Sequence, residues 1–364
     1  MAERAGAPGE LPAPRGGVAR MSPAARPLVT ALSAAFPDLG GTVTDAAEAR
    51  RILAAAPVSR KVSLAVGAVV ERNIPGIPEA CPAGVAEVPA RTPAPAAAEV
   101  LVRAYFPDPE RFPRPHPTVV FFHGGGYTLG GLDSYDATAR RLTVRSGAVV
   151  VSVGYRLAPE HRFPAAVDDA YAALCWAADA CAVLGGAPGA LVVAGDSSGG
   201  GLAAAVALKA RDDPRGPAIA RQVLIYPVLD ASQSTASYRE NATGCFLTAA
   251  HMRWFWQQYL GPDGDGAHPL ASPLRAADLA GLPPAHLVTA GCDPLSDEGL
   301  AYAHRLRAAG VPVTGRHWPG MFHGFVGFPE LLPEAEEALH GVAEAIASTV
   351  KGRKNSGEGG GAAG

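Results

Sequence analysis

The residues with the clearest chemical potential are Gly195-Asp196-Ser197-Ser198-Gly199, which follow the apolar run Leu191-Val192-Val193-Ala194 and precede an alanine-rich helical stretch. A serine in so sharp a strand-to-helix turn projects its hydroxyl above the end of a sheet. Glycines on either side let the turn close without Cβ clashes. Ser197 is therefore the candidate nucleophile, and the chemistry it suits is acyl transfer. A bare G-x-S-x-G pattern also arises by chance, and a serine capping a glycine-rich helix start carries the same letters. The strand before it and the helix after it favour the nucleophile.

Such a nucleophile needs donors for an oxyanion, a base and an acid. The apolar run 118–122 ends in His123-Gly124-Gly125-Gly126-Tyr127. Successive glycines after a strand expose backbone N–H groups, which a tetrahedral oxyanion requires, and the N–H of Ser198 would join them. A phosphate-binding loop is the competing reading. It is disfavoured because the segment lacks both the Lys-Ser/Thr of a P-loop and the G-x-G-x-x-G spacing of a dinucleotide site. His123 precedes the loop and is read as bracing it rather than as a base.

The acid and base should follow the nucleophile in the order Ser, Asp/Glu, His. Run 286–289 leads into Ala290-Gly-Cys-Asp293-Pro-Leu-Ser-Asp297-Glu298. Asp293 lies directly past the strand and is the candidate acid. Asp297 is the runner-up, because it and Glu298 sit at a helix start where acidic side chains satisfy orphan N–H groups. His323, in Trp318-Pro-Gly-Met-Phe-His323-Gly-Phe325, is the candidate base. His304 falls in a helix, His317 precedes the loop and His340 falls in the C-terminal helix.

The elements that must position these groups are legible as alternation. Strands are expected at 100–105, 118–122, 148–153, 191–194, 222–226, 286–289 and 313–317, and helices at 135–146, 164–178, 200–211 and 297–309. Continuous β-branched runs indicate strands buried on both faces of a mostly parallel sheet. The alternation implies a doubly wound α/β sheet, where ligands bind at the carboxyl ends of the strands. Two earlier helices are expected near 27–35 and 44–56, the second capped by Thr44. Residues 75–98, mostly Pro, Ala and Gly, read as a surface excursion. Residues 1–20 and 351–364 hold almost no large apolar side chain and read as disordered tails, with Met21 as an alternative start.

The chain has 364 residues, 48% hydrophobic and 18% charged, with 31 basic and 34 acidic side chains. That is an ordinary soluble composition whose balance gives no reason to expect nucleic acid or a membrane as a partner. No apolar run approaches the roughly 20 residues needed to span a bilayer, and no secretory signal is evident. Five cysteines, Cys81, Cys175, Cys181, Cys245 and Cys292, match neither a zinc site nor a disulfide framework. Cys175 and Cys181 read as small buried hydrophobes. A reducing cytoplasm follows as the default, and no metal or organic cofactor is implied.

Taken together, His123-Gly-Gly-Gly126, Tyr155-Arg-Leu-Ala-Pro-Glu-His161, Gly195-Asp-Ser-Ser-Gly-Gly200, Asp293-Pro-Leu-Ser-Asp-Glu-Gly299 and His323-Gly-Phe325 resemble the hormone-sensitive-lipase-like esterases, the bacterial family IV branch of the α/β hydrolases. The resemblance spans about 21–348. It implies an α/β-hydrolase fold, Ser197, Asp293 and His323 as a triad, and Gly125, Gly126 and Ser198 as oxyanion donors. It also implies a helical cap, built from residues 21–70 and an insertion at about 231–282, on a catalytic domain spanning 71–350. The aromatic run 245–260 fits that cap. Read alone it is amphipathic core packing, with Phe246, Leu247 and Trp254 as candidate lining of an acyl site.

Three features depart from the family pattern. Ser198 stands where alanine is common, Gly154 stands where an acidic residue often precedes Tyr155, and the 75–98 loop is long. The expected activity is hydrolysis of a short- or medium-acyl carboxylic ester through an acyl-enzyme, with a small-molecule ester as partner; a homodimer is compatible with it. Two other readings stay open: an amidase or deacetylase acting on a specialised metabolite, and a non-catalytic small-molecule binder.

Overall fold

The computed structural model describes residues 17–55, 64–76 and 99–351. Cys81, most of the 75–98 excursion, residues 1–16 and residues 352–364 lie outside these. Eight strands form one sheet in the order β1-β2-β4-β3-β5-β6-β7-β8. They are β1 (Ala68–Pro75), β2 (Glu99–Phe106), β3 (His116–Phe122), β4 (Val149–Gly154), β5 (Gly186–Asp196), β6 (Arg221–Ile225), β7 (Ala285–Cys292) and β8 (Val313–Phe322). From β4 to β8 every neighbouring pair is parallel, while β1–β2 and β2–β4 are antiparallel.

The helices are α1 (Gly17–Arg20), α2 (Ala25–Ala35), α3 (Ala46–Ala55), α4 (Asp136–Ser146), α5 (Ala165–Asp179), α6 (Ser198–Asp212), α7 (Ala236–Glu240), α8 (Ala249–Leu260), α9 (Ser296–Ala308) and α10 (Pro333–Lys351). Their placement follows from the strand period of two. Val119 and Phe121 of β3 point to one face, where Leu142 of α4 and Leu339 and Val342 of α10 cover them. Val120 and Phe122 point to the other, against Leu174 of α5, Leu202 and Val206 of α6 and Leu306 of α9. Both faces are thus sealed, which is why β3 and β7 are buried at every position.

The start of α3 differs from expectation. Glu48 N donates to Asp45 Oδ1 at 2.7 Å, so Asp45 rather than Thr44 caps α3. Thr44 instead presents its carbonyl to Trp254 Nε1 at 2.9 Å, tying α8 to the N-terminal segment. Gly17–Arg20, expected within a tail, forms one helical turn whose Arg20 reaches Glu240 and the carbonyl of Gly291. Cys175 and Cys181 are half-buried rather than buried. No helix among the described residues is long and apolar enough to cross a membrane.

Candidate active site

Four candidate residues each sit one position beyond a strand end: His123 after β3, Ser197 after β5, Asp293 after β7 and His323 after β8. The parallel sheet therefore delivers them to one edge. Ser197 adopts φ 55° and ψ −121°, a conformation that favours glycine and that the surroundings must hold. Its N–H donates to the Ile225 carbonyl, and its own carbonyl accepts from Gly201 N and Val228 N. Gly199 permits the turn: a Cβ there would lie 1.9 Å from the Phe122 carbonyl oxygen.

His323 Nε2 lies 2.9 Å from Ser197 Oγ, and its Nδ1 lies 2.7 Å from Asp293 Oδ2. With the ring proton on Nδ1, the imidazole donates to the carboxylate and accepts from the serine hydroxyl. All three side chains are buried, Asp293 completely. Asp293 Oδ1 accepts from Leu295 N at 2.9 Å, so both carboxylate oxygens are engaged. The His323 ring also packs against Tyr226, with centroids 4.7 Å apart.

Asp297, the runner-up, takes no part in this relay. Its Oδ2 accepts from Ser237 N at 2.8 Å, so it satisfies an orphan N–H of α7 rather than of its own helix. The neighbouring Glu298 is fully buried and accepts from Leu229 N and Asp230 N. Burial nevertheless pushes its carboxyl up to about 8.

The glycine loop forms a turn in which the Gly125 carbonyl accepts from Thr128 N and Leu129 N. Its φ angles are positive at Gly125, Gly126 and Tyr127, with Gly125 at 118°. Among the described residues, no hydrogen bond engages the N–H of Gly125, Gly126 or Ser198. His123 is sealed beneath the loop. Its Nδ1 contacts the Gly124 carbonyl at 2.7 Å and its ring stacks on Tyr155 at 4.3 Å. Burial lowers its imidazole to about 4, so the ring is neutral at physiological pH.

Two residues outside the sequence-predicted set, Asp196 and Asn241, also hold the site together. Asp196 accepts from Gly124 N and from Tyr135 Oη, each at 3.0 Å, and so ties the glycine loop to the nucleophile turn. Its signal was present as the variable position of G-x-S-x-G. Asn241, fully buried, donates from Nδ2 to the backbone carbonyls of Asp293 (2.9 Å) and Gly291 (3.2 Å). A lone amide between α7 and the aromatic-rich α8 carries no chemical motif, and nothing in the sequence marked it.

A cavity of about 240 Å³ is lined among others by Phe121, Tyr135, Asp196, Tyr226, Phe246 and Gly324; Asp196 and Gly324 adjoin Ser197 and His323, which do not themselves line it. Of the three candidate acyl-site residues, Phe246 lines it. Leu247 and Trp254 do not; they belong to the core cluster that also holds Phe255 and Tyr259. Trp254 packs edge-on against Phe255 at 5.2 Å and holds Thr44 through its indole N–H. Two larger, open grooves, of about 500 and 590 Å³, lie away from the relay along β8–α10 and α6. Among the described residues no cluster of three His, Cys, Asp or Glu side chains is arranged to hold a metal ion.

A strained serine at a strand-to-helix turn, an acid and a histidine after later strands, and this strand order define a class of hydrolase, and the chain belongs to the α/β-hydrolase fold family, whose model matches residues 119–327. Within it the chain groups with the hormone-sensitive-lipase-like esterases that its motifs resemble. It is 44% identical over 243 residues to the carboxylesterase NlhH of Mycobacterium tuberculosis, covering 66% of this chain and 75% of that protein. It is 40% identical to the ethyl acetate hydrolase of Pseudomonas putida, over 67% of this chain and 77% of that one. Among solved structures, the hyperthermophilic esterase of Pyrobaculum calidifontis superposes with a TM-score of 0.75 at 38% identity, over 91% of this chain and 99% of that one.

Proposed function

We propose that this chain is a serine carboxylic-ester hydrolase working through an acyl-enzyme, with Ser197 as nucleophile, His323 as base and Asp293 as the acid that orients it. The observation that carries the reading is the unbroken relay from Ser197 Oγ through His323 to Asp293, set beside three uncommitted backbone N–H groups. His323 Nε2 takes the hydroxyl proton as Oγ bonds to the ester carbonyl carbon. The N–H groups of Gly125, Gly126 and Ser198 receive the oxyanion. Collapse breaks the ester C–O bond, and the imidazolium returns its proton to the leaving alcohol. Water, activated by the same imidazole, then releases the acid and restores the serine.

The relatives named as carboxylesterase and ethyl acetate hydrolase support the ester as substrate. The relative named ethyl acetate hydrolase supports a short acyl group. In the same proposal, residues 21–70 and about 231–282 form a cap on a catalytic domain spanning 71–350. A cytoplasmic setting is supported by the unpaired thiols of Cys175, Cys181, Cys245 and Cys292.

The test is chemical. A fluorophosphonate should label the native protein on the peptide carrying Ser197. Ser197→Ala should abolish labelling and lower kcat on a short p-nitrophenyl ester by on the order of 10⁴-fold, with an unchanged circular dichroism spectrum. A folded variant that kept a tenth of the activity would overturn the mechanism.

A further inference from the structure

We propose that Arg50, on the N-terminal helix α3, is a positioning residue for the glycine turn that receives the oxyanion; the inference rests on the ester-hydrolase reading above. Arg50 leaves its own helix and reaches into the strand-end surface. Its Nε donates to the Thr128 carbonyl at 2.8 Å and one terminal nitrogen donates to the Ala158 carbonyl at 2.6 Å. The same guanidinium grips Glu160 through both carboxylate oxygens, at 2.8 and 2.9 Å.

Those two carbonyls are not incidental. Thr128 N and Leu129 N both donate to the Gly125 carbonyl, and Thr128 Oγ1 donates back to the Gly126 carbonyl at 3.0 Å. Ala158 N donates to the Tyr127 carbonyl at 2.9 Å. Gly125 and Gly126 are therefore bonded to Thr128, which Arg50 holds, and Tyr127 is bonded to Ala158, which Arg50 also holds. The turn needs such ties. Three successive positive φ angles, 118°, 60° and 60° at Gly125, Gly126 and Tyr127, are not a conformation that a chain keeps unaided. Asp196 fixes the turn from the inside through Gly124 N, and Arg50 fixes it from the cap side.

The residue type matters as well. A planar fork of donors can serve two carbonyls and a carboxylate together, whereas a lysine ammonium at the end of a flexible stem has no such pre-organised fork. Arg50 also shares the buried side of α3 with Ala46 and Ala49, so its bonds form only when that helix is seated. Seating the cap and shaping the oxyanion turn thereby become one event.

The experiment compares Arg50→Met, Arg50→Lys and Glu160→Gln in the full chain. Readouts are kcat and KM on a short p-nitrophenyl ester and the Ki of an alkyl trifluoromethyl ketone. In that inhibitor Ser197 Oγ adds to the ketone carbon, the proton passes to His323, and the new oxyanion occupies the turn. Arg50→Met should lower kcat roughly 10–100-fold, as expected for a sub-ångström to 1 Å displacement at a reacting centre, and weaken the ketone by a similar factor. KM should move less than about threefold, because ground-state contacts are untouched. Glu160→Gln keeps both carbonyl bonds and should stay within about threefold of wild type.

A folded Arg50→Met with wild-type kcat and ketone affinity would overturn the proposal. If that variant does not fold, Arg50→Lys decides: it should show the same kcat and Ki losses, smaller in size, and wild-type values would overturn the proposal equally. A wild type that neither cleaves the ester nor binds the ketone would overturn the ester-hydrolase reading itself, a result the variants cannot mimic.

Discussion

Two carboxylates four positions apart have been given different work by their neighbours. Asp293 has one oxygen on the imidazole and the other on Leu295 N, with no exposure to water. Asp297 faces the other way and holds the first turn of α7. Asp293→Asn should therefore cost roughly 10³–10⁴-fold in kcat, since an amide neither selects the Nδ1–H tautomer nor balances an imidazolium. Asp297→Ala, which removes the acceptor of the Ser237 N–H, should leave kcat within about tenfold and instead lower stability by about 1 kcal/mol, the usual worth of a lost cap bond. Steady-state kinetics beside thermal melts on both variants would show this, and a reversed ranking would mean the wrong acid has been assigned. These side chains were legible because strand ends and chain order narrow the choice. Arg50 left a fainter trace: it sits four residues after Ala46 and three before Leu53, on the apolar side of an amphipathic helix. Its carbonyl partners, nearly eighty residues away or more, are written nowhere in that pattern.

At the level of elements, the strands that are continuous apolar runs were readable and those that borrow their stability were not. β1 is exposed at almost every position and owes its existence to its antiparallel ladder with β2. No hydrophobic period announces such a strand. β8 runs on through Trp318-Pro319-Gly320 to Phe322, where a loop was expected, because a register shift lets Phe322 pair with Cys292. Helix α8 shows the same division of labour. Its aromatics are buried, with Tyr259 stacked on Tyr127 at 3.8 Å, whereas Phe246 just before it lines the cavity in a left-handed backbone conformation. For p-nitrophenyl esters kcat/KM should peak between acetate and octanoate and fall for palmitate, because each CH₂ gains about 0.8 kcal/mol only while it finds apolar surface. Phe246→Ala should move the optimum to longer chains. Trp254→Ala should leave it in place and cost about 3–5 kcal/mol in stability. An optimum at palmitate, or an equal shift from Trp254→Ala, would refute Phe246 as the residue that limits acyl length.

Over the whole molecule, buried ionisable groups set how stability responds to pH. His123 and His286 are both lowered to about 4 by burial, so they stabilise the fold fully above their unfolded pKa near 6.5 and progressively less as pH falls toward 4. Asp196, raised to about 6, and Glu298, raised to about 8, act oppositely. A carboxyl raised in the folded state holds its proton more tightly there, so its stabilisation is complete below the unfolded value and lost as pH rises through the folded one. Above about pH 7.5, where both imidazoles and Asp196 have nearly finished titrating, the Glu298 contribution dominates the change among these four. Stability should therefore fall by on the order of 1 kcal/mol between about pH 7.5 and 9. Glu298→Gln should flatten that decline, and parallel Tm–pH curves for variant and wild type would contradict it. The position of Asn241 has a consequence of a different kind. Its amide is a strut of the loop that carries Asp293, so replacing residues 231–282 as one block would take that strut away. An exchange that begins after Asn241 and before Phe246 would leave the loop its support.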